Sequence, residues 1–284
     1  MATVSVGCSG WSYQHWRGDF YPKDLPARLW LESYGRSFST VEINNSFYRI
    51  PRKEIVAQWC DRTPGGFTFS YKLWRGLTHF AHLVDKRRPL RSFLGVQSAC
   101  PPLRRATLLV HLPPQMRCDE KRMRRLDGFL EDAERMMGRS PWRVAVEFRH
   151  SSWDVPAVRR LLDGHDAAFC LHDMAGCKME EPNDASLVYV RRHGVQRYSG
   201  AYSPRMLRHD ARRIEDWMDE GRDVVVYFNN DLGGHAPRDA TRLRALLGQD
   251  ETVRQRPLAA RKPATARPGS VVATTGTSSG SRER

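Results

Sequence analysis

The sequence predicts an α/β fold, a (β/α)8 barrel of the TIM type in a single domain. Three observations carry the prediction. Eight short segments of strand character recur along the chain, helical patterns separate most of them, and most of the strand segments end in polar or charged side chains. Strand and helix alternating up to eight strands is the pattern of a barrel, and a ring of polar strand ends suits a site at its mouth. An open doubly wound sheet is the alternative. It usually needs fewer strands, and no GxGxxG follows a strand and opens a helix in this chain.

The strand segments are residues 4–9, 40–46, 67–72, 107–112, 143–149, 167–173, 187–193 and 224–231. A helix is expected over 25–38, where Leu29, Leu31 and Tyr34 fall near helical spacing, and a short one over 53–60. Another spans 85–98, after a loop at 74–83. The clearest helix is 119–137: Asp119 suits the N-cap, and Met123, Leu126, Phe129, Leu130 and Ala133 form one apolar stripe. Helices at 155–162, with Pro156 in the first turn, at 204–218 and at 237–247 complete the set. After the sixth strand the stretch 175–184 is short and polar, so that helix is expected to be missing or reduced.

Side chains alternate across a strand, and a barrel's outer face must be apolar to pack on helices. Val41 and Ile43 therefore face outward and Thr40, Glu42 and Asn44 inward. Val144, Val146 and Phe148 oppose Ala145, Glu147 and Arg149. Phe67, Phe69 and Tyr71 oppose Thr68, Ser70 and Lys72. Tyr189, Arg191 and His193 point inward, as do Leu109 with His111 and Cys170 with His172. The last strand is ambiguous, with Tyr227, Asn229 and Asp231 on one parity and Phe228 and Asn230 on the other. Glu42, Lys72, His111, Glu147, Arg149, Arg191 and His193 should thus converge. Buried charge is paired or serves a purpose, so the alternative to a reactive site is a Glu–Arg lattice that merely fills the mouth.

The composition sets bounds. The chain has 284 residues, 40% hydrophobic, enough for one large domain. No apolar run approaches the ~18 residues that span a bilayer, and the start of the chain lacks the basic and apolar regions of a signal peptide, so a cytoplasmic protein with no membrane partner is expected. The six cysteines are irregularly spaced with no CxxC, which favours reduced thiols over a disulfide frame. The net charge is +14. Residues 249–284, rich in Pro, Ala, Arg, Ser, Thr and Gly, hold seven basic and three acidic residues and read as a disordered basic tail beyond a domain at 1–248, which keeps +10. The excess permits a nucleic-acid partner or an anionic substrate. The simpler reading is an arginine-rich composition with solvated helix faces, because no aromatic–basic binding module is visible. The lone His79, His82 and His209 read as surface residues.

At this point the motifs GCSGWSYQHWRGDFYP, TVEINNSFYRIP, VEFRHSSW, VYVRRHG and VYFNND, in this order and spacing, resemble the YecE-like family, domain of unknown function 72. The resemblance covers roughly residues 4–247 and rests on five separated motifs. It implies a TIM-type barrel, and because the family has no established activity it assigns no catalytic residues. The positions that match its motifs are Trp11, Tyr13, Trp16, Glu42, Asn44, Tyr48, Glu147, Arg149, Trp153, Arg191, His193, Asn229, Asn230 and Asp231. The chain departs from the pattern at His111, where glutamine is usual, at Arg192, where an apolar residue is usual, and at Ser46, where threonine is usual.

Three chemistries follow as expectations. The first is a hydrolase-like enzyme that uses Glu42, Glu147 and Arg149 on an anionic or sugar-like substrate. Trp11, Tyr13, Asn44, Lys72, His111, Arg191, His193, Asn229, Asn230 and Asp231 would bind that substrate. Two carboxylates about 5–10 Å apart can divide acid, base and nucleophile roles. Arg149 and Lys72 nearby would depress a carboxylate pKa, which favours glutamate as base or anchor and the cations as binders of an anionic group. Trp11, Tyr13, Trp16 and Trp153 could stack on a sugar or base, although loop-core roles suit at least two of them. The second is metal-dependent phosphodiester or sugar-isomerase chemistry, a reading from fold analogy alone. No HxH or HExxH spacing supports it and cations share the ring, so no metal and no cofactor are expected. The third is a non-enzymatic nucleic-acid binder. A serine or cysteine nucleophile lacks any GxSxG.

Overall fold

The computed structural model describes residues 1–138 and 142–249. Of the basic stretch expected from 249 onward, residues 250–284 lie outside the described residues.

Among the described residues nine strands form one parallel sheet: β1 Val4–Ser9, β2 Thr40–Ile43, β3 Thr68–Lys72, β4 Arg105–His111, β5 Arg143–Glu147, β6 Ala168–Phe169, β7 Leu171–His172, β8 Leu187–Arg192 and β9 Asp223–Phe228. Their order is β6-β5-β4-β3-β2-β1-β9-β8-β7. The two end strands are consecutive in the chain, separated only by Cys170, whose N–H bonds Val146 of β5 at 2.9 Å. One side of this broken stave pairs with β5 and the other with β8, so the sheet curls into a nearly closed barrel. The eight strands read from the sequence are therefore present, the sixth in two short pieces.

Among the described residues seven α-helices surround it: α1 Trp30–Ser37, α2 Lys53–Asp61, α3 Arg87–Gln97, α4 Glu120–Met137, α5 Pro156–Gly164, α6 Pro204–Asp219 and α7 His235–Leu246. The chain between β7 and β8 carries no helix, as its polarity predicted. Asp119 caps α4, its Oδ1 accepting the N–H of Arg122 at 2.7 Å. Pro156 and Pro204 occupy first-turn positions, where a missing N–H costs nothing. The helix expected over 25–38 begins later, because Pro26 precedes a single 3-10 turn at Ala27–Leu29.

The expected facing of the strands holds. Val41, Ile43, Phe69, Tyr71, Val144, Val146, Phe148, Val188 and Val190 belong to the layer between sheet and helices. The barrel interior is filled by Leu109, Ala145, Ala168, Cys170, Leu187, Tyr189, Val225 and Tyr227. The ambiguous last strand resolves with Tyr227 inward, its hydroxyl meeting Thr40 at 2.6 Å and Ser70 at 3.0 Å. Phe228 lies in the outer layer. Gly7 is required where β1 meets β2: a Cβ there would stand 2.4 Å from the Thr40 carbonyl. The Tyr34 hydroxyl bridges that gap, accepting from Cys8 N–H and donating to Thr40 O. All six cysteines are free.

Candidate active site at the barrel mouth

The strands run parallel, so their C-terminal residues gather at one end. Ser9, Glu42, Lys72, His111, Glu147 and Arg191 stand there together. At the centre lies Arg191, fully buried. Its guanidinium donates to Glu42 through Nε at 3.0 Å and Nη2 at 2.7 Å, and to Glu147 through Nη1 at 2.8 Å. One cation from β8 thus bridges carboxylates on β2 and β5. Glu42 also accepts from Ser9 Oγ at 2.5 Å and from the Tyr189 hydroxyl at 2.7 Å. Glu147 meets Arg149 Nη2 at 2.5 Å and His193 Nε2 at 3.3 Å.

Both carboxylates are 0% exposed. Burial, the largest single influence, pushes their pKa up, but the Arg191 charge and hydrogen bonds, the Ser9 hydroxyl and the Lys72 charge together hold Glu42 below the usual range. Arg149 and Arg191 together hold Glu147 well below it. The two glutamates are ionised and saturated with donors. Their geometry suits anchors for Arg191, Arg149 and His193 better than proton donors, the direction the neighbouring cations already suggested.

Burial keeps His193 neutral, with its pKa pushed down to about 3. A proton on Nε2 then faces Glu147, and Nδ1 accepts from Asn229 Nδ2 at 3.1 Å. The His193 backbone N–H is held by Asp173 Oδ1 at 2.7 Å. Gly194 follows at φ +93, and a Cβ there would strike the Ser199 carbonyl at 2.2 Å.

Outside this saturated centre lies a second group of a different kind. The Lys72 side chain is buried to 7% exposure, and among the described residues it forms no hydrogen bond or ion pair. Its Nζ sits 4.2 Å from the centre of the Phe47 ring. Burial, then the nearby Arg191, pushes the Lys72 pKa down to about 7. Both ring nitrogens of His111 are buried without a partner, and burial followed by Lys72 lowers its pKa far below the ordinary value. Arg149 Nε and Asn44 Oδ1 are likewise buried and unpartnered. Buried polar groups are satisfied in the great majority of cases, so the unpartnered atoms of His111, Arg149 and Asn44 set this part of the mouth apart from the saturated centre.

His79 is a correction to the sequence reading, which placed it on the surface. The segment 74–83 winds through a π-helical turn, Gly76–Phe80, that lays the His79 ring 4.9 Å from Phe47 and 5.1 Å from His111. Burial, then Lys72, pushes its pKa down to about 4. Gly76 allows the turn, since a Cβ would meet the Trp74 ring at 2.3 Å. Nothing in the strand pattern revealed this segment, nor Phe47, as part of the mouth. Ser9 and Tyr189 could have been found by parity, which placed Tyr189 inward.

The remaining expected site residues divide. Asn229 enters the site through His193. Asn230 has the other parity: its Nδ2 donates to Asp239 Oδ2 and to the Gly200 carbonyl, both at 2.9 Å, which ties the end of β9 to α7, while its Oδ1 is buried without a partner. Asp231 lies at the rim, with its carbonyl accepting from Trp16 Nε1 at 3.1 Å and contacting His15 Nε2 at 2.7 Å. Burial raises its carboxyl pKa. Tyr13 donates to the Ser9 carbonyl at 2.6 Å, supporting the backbone beneath the Glu42 contact. Trp11 packs edge-on against Trp59. Trp16 and Trp153 are wholly buried loop core, so they offer no stacking face. Arg192, unusual at its position, is absorbed outside the barrel by Asp210 of α6, with one contact at 2.8 Å. Among the described residues no group of three or more His, Cys, Asp or Glu side chains is disposed to hold a metal ion. No helix among them is long and apolar enough to cross a membrane.

Residues 5–265 match the family described as "Protein of unknown function DUF72". The chain belongs to the DUF72 family. UPF0759 protein YunF of Bacillus subtilis is 25% identical over 280 residues, covering 86% of this chain and 94% of that protein. UPF0759 protein YecE of Escherichia coli is 31% identical over 83 residues, 28% of this chain and 27% of that one. Among solved structures, a DUF72 family protein of Thermotoga maritima superposes with a TM-score of 0.77 at 26% identity, covering 87% of this chain and 99% of that one. A DUF72 family protein of Enterococcus faecalis shares the fold, with a TM-score of 0.73 at 18% identity over 87% of this chain and 96% of that one. The DUF72 match supports the barrel and carries no activity with it.

Proposed function

We propose that this DUF72 protein is an enzyme acting on a small anionic, polyhydroxy substrate at the C-terminal mouth of its barrel. One observation carries the reading: the His111 ring nitrogens and Arg149 Nε are buried without a partner beside a saturated Glu42–Arg191–Glu147 centre, and the Lys72 amine near them meets the Phe47 ring and no carboxylate among the described residues. The available cationic donors suit a carboxylate or phosphate. The buried tryptophans argue against recognition by sugar stacking. The glutamates act as positioning groups, and the groups left free for chemistry are the Lys72 amine and the neutral His111 ring, a base or nucleophile beside a proton carrier.

The test is thermal stabilisation across phosphorylated sugars, hydroxy acids and neutral sugars at fixed ionic strength. At least one anion should give a saturable rise in Tm that weakens in Arg149→Gln, while neutral sugars give none. A panel in which no anion exceeds potassium chloride of equal ionic strength would refute the reading.

A further inference from the structure

We propose that Lys72 is a nucleophile that condenses with the carbonyl carbon of an anionic aldehyde or oxo acid, forming an imine. The inference deepens the proposed function and rests on its reading of the mouth as a site for a small anion. Three features of the site carry it.

The first is what Lys72 lacks. A lysine that ends a barrel strand beside two glutamates would ordinarily be their ion-pair partner. Here Arg191 and Arg149 take both carboxylates, at 2.7 Å for Glu42 and 2.8 and 2.5 Å for Glu147. Among the described residues the ammonium is left with the Phe47 face. An amine held by a carboxylate stays protonated and has no lone pair to offer, whereas this one is released from that fate by the arginines around it.

The second is its positioning. The Lys72 main chain is fixed, with its carbonyl accepting from Ser46 Oγ at 2.7 Å and the next N–H bonding the Leu109 carbonyl at 2.8 Å. The side chain reaches the mouth from a rigid strand, as a nucleophile must if it is to meet a carbonyl carbon in one orientation.

The third is the charge balance facing Nζ. The groups that act on it are Arg191, Glu147, Glu42 and Arg149, with the neutral rings of His111 and His79 alongside. With burial, they bring the amine to about pKa 7. At pH 7 roughly half of it is neutral, against about 0.04% of an ordinary lysine of pKa ~10.4. The six other lysines are Lys23, Lys53, Lys86, Lys121, Lys178 and Lys262. Lys23, Lys53, Lys121 and Lys178 are exposed.

The step balances without any outside oxidant. The Nζ lone pair attacks the carbonyl carbon and the C–O π electrons move to oxygen. The two amine protons then leave with that oxygen as water, and a C=N bond remains. His111, with both ring nitrogens free, can take a proton from nitrogen and return it to the departing oxygen. The substrate's anionic group would sit against Arg149 Nε.

The test uses the full chain with two probes, glyoxylate and glyceraldehyde 3-phosphate, at pH 7 with cyanoborohydride to reduce any imine to a stable secondary amine. Peptide mapping then reads where the label lies. Lys72 should be labelled at least tenfold faster than any other lysine, and the intact mass should rise by one adduct in the wild type and none in Lys72→Met. Glycolate and glycerol 3-phosphate, which lack a carbonyl, serve as binding controls by thermal shift. Stabilisation by these controls with no Lys72 adduct from either probe overturns the imine and leaves the anion site standing. Absence of both overturns the anion site and the imine with it. Labelling spread evenly over the exposed lysines also overturns the proposal, and this readout needs only the wild-type protein.

Discussion

Arg191→Met removes the one cation that joins the two carboxylates of the mouth. Three contacts between the guanidinium and those carboxylates would be lost, at 3.0, 2.7 and 2.8 Å. Charge-assisted bonds are worth roughly 1.5–3 kcal/mol each, but the loss is not their sum. Glu42 keeps Ser9 and Tyr189, and Glu147 keeps Arg149 and His193. The cost should therefore match that of breaking one buried ion pair, about 3–5 kcal/mol, out of a total stability of ~5–15 kcal/mol. Chemical denaturation gives the magnitude, and its pH dependence gives the mechanism. In the wild type, Arg191 depresses the Glu42 pKa, so that contribution is present above the unfolded value near 4.5 and is lost as pH falls through the lower folded value. In the variant, burial without the guanidinium raises the folded pKa above the unfolded one. The native state then holds a proton that the unfolded state releases, and stability falls between pH 5 and pH 7. Adding Glu42→Gln to the variant should recover part of the loss at pH 7. A cost below about 1 kcal/mol, or a variant that grows more stable from pH 5 to 7, would refute the reasoning.

Other outcomes follow from the same contacts. Because the folded Lys72 pKa of about 7 lies below the ordinary 10.5, the native state binds fewer protons than the unfolded state between those values; wild-type stability should climb across that window. Lys72→Met should abolish that slope and raise stability at pH 6 by about 3–5 kcal/mol, as urea melts at pH 6 and 9 would show. Asn230→Ala should cost roughly 1–3 kcal/mol while leaving any anion-induced thermal shift unchanged, because the Asn230 amide N–H groups are taken by Asp239 and the Gly200 carbonyl. Asp119→Ala should lower stability by about 1 kcal/mol through loss of the α4 cap, with no effect on ligand response.

The barrel and the inner half of the site were legible because both rest on periodicity. Alternation alone sends Glu42, Lys72, Glu147 and Arg191 inward, and a strand's parity does not depend on what its neighbours do. The last strand shows where this stops. Both parities carried polar residues, and only the seating of Tyr227 against Thr40 and Ser70 placed Asn229 inside and Asn230 outside. His79 escaped because its position comes from a π-helical turn over Phe47, which no periodic pattern encodes. The pairing was hidden for a related reason. Sequence shows that two arginines, a lysine and two glutamates converge, but which cation takes which carboxylate depends on reach across the barrel. That choice left Lys72 without an ion pair.

The Arg191 bridge also constrains how the molecule is assembled. Its carboxylate partners stand 149 and 44 residues earlier in the chain, on opposite arcs of the barrel. Contacts so distant in sequence form late, after intervening loops have closed. Until β8 docks, Glu42 and Glu147 have no shared counter-charge and every reason to remain in water. The electrostatic heart of the mouth is therefore also the latch of the barrel, and a chain truncated before β8 would lose both together. Neither half of this barrel holds the Glu42–Arg191–Glu147 bridge by itself, because Glu42 lies on β2 and the other two on β5 and β8.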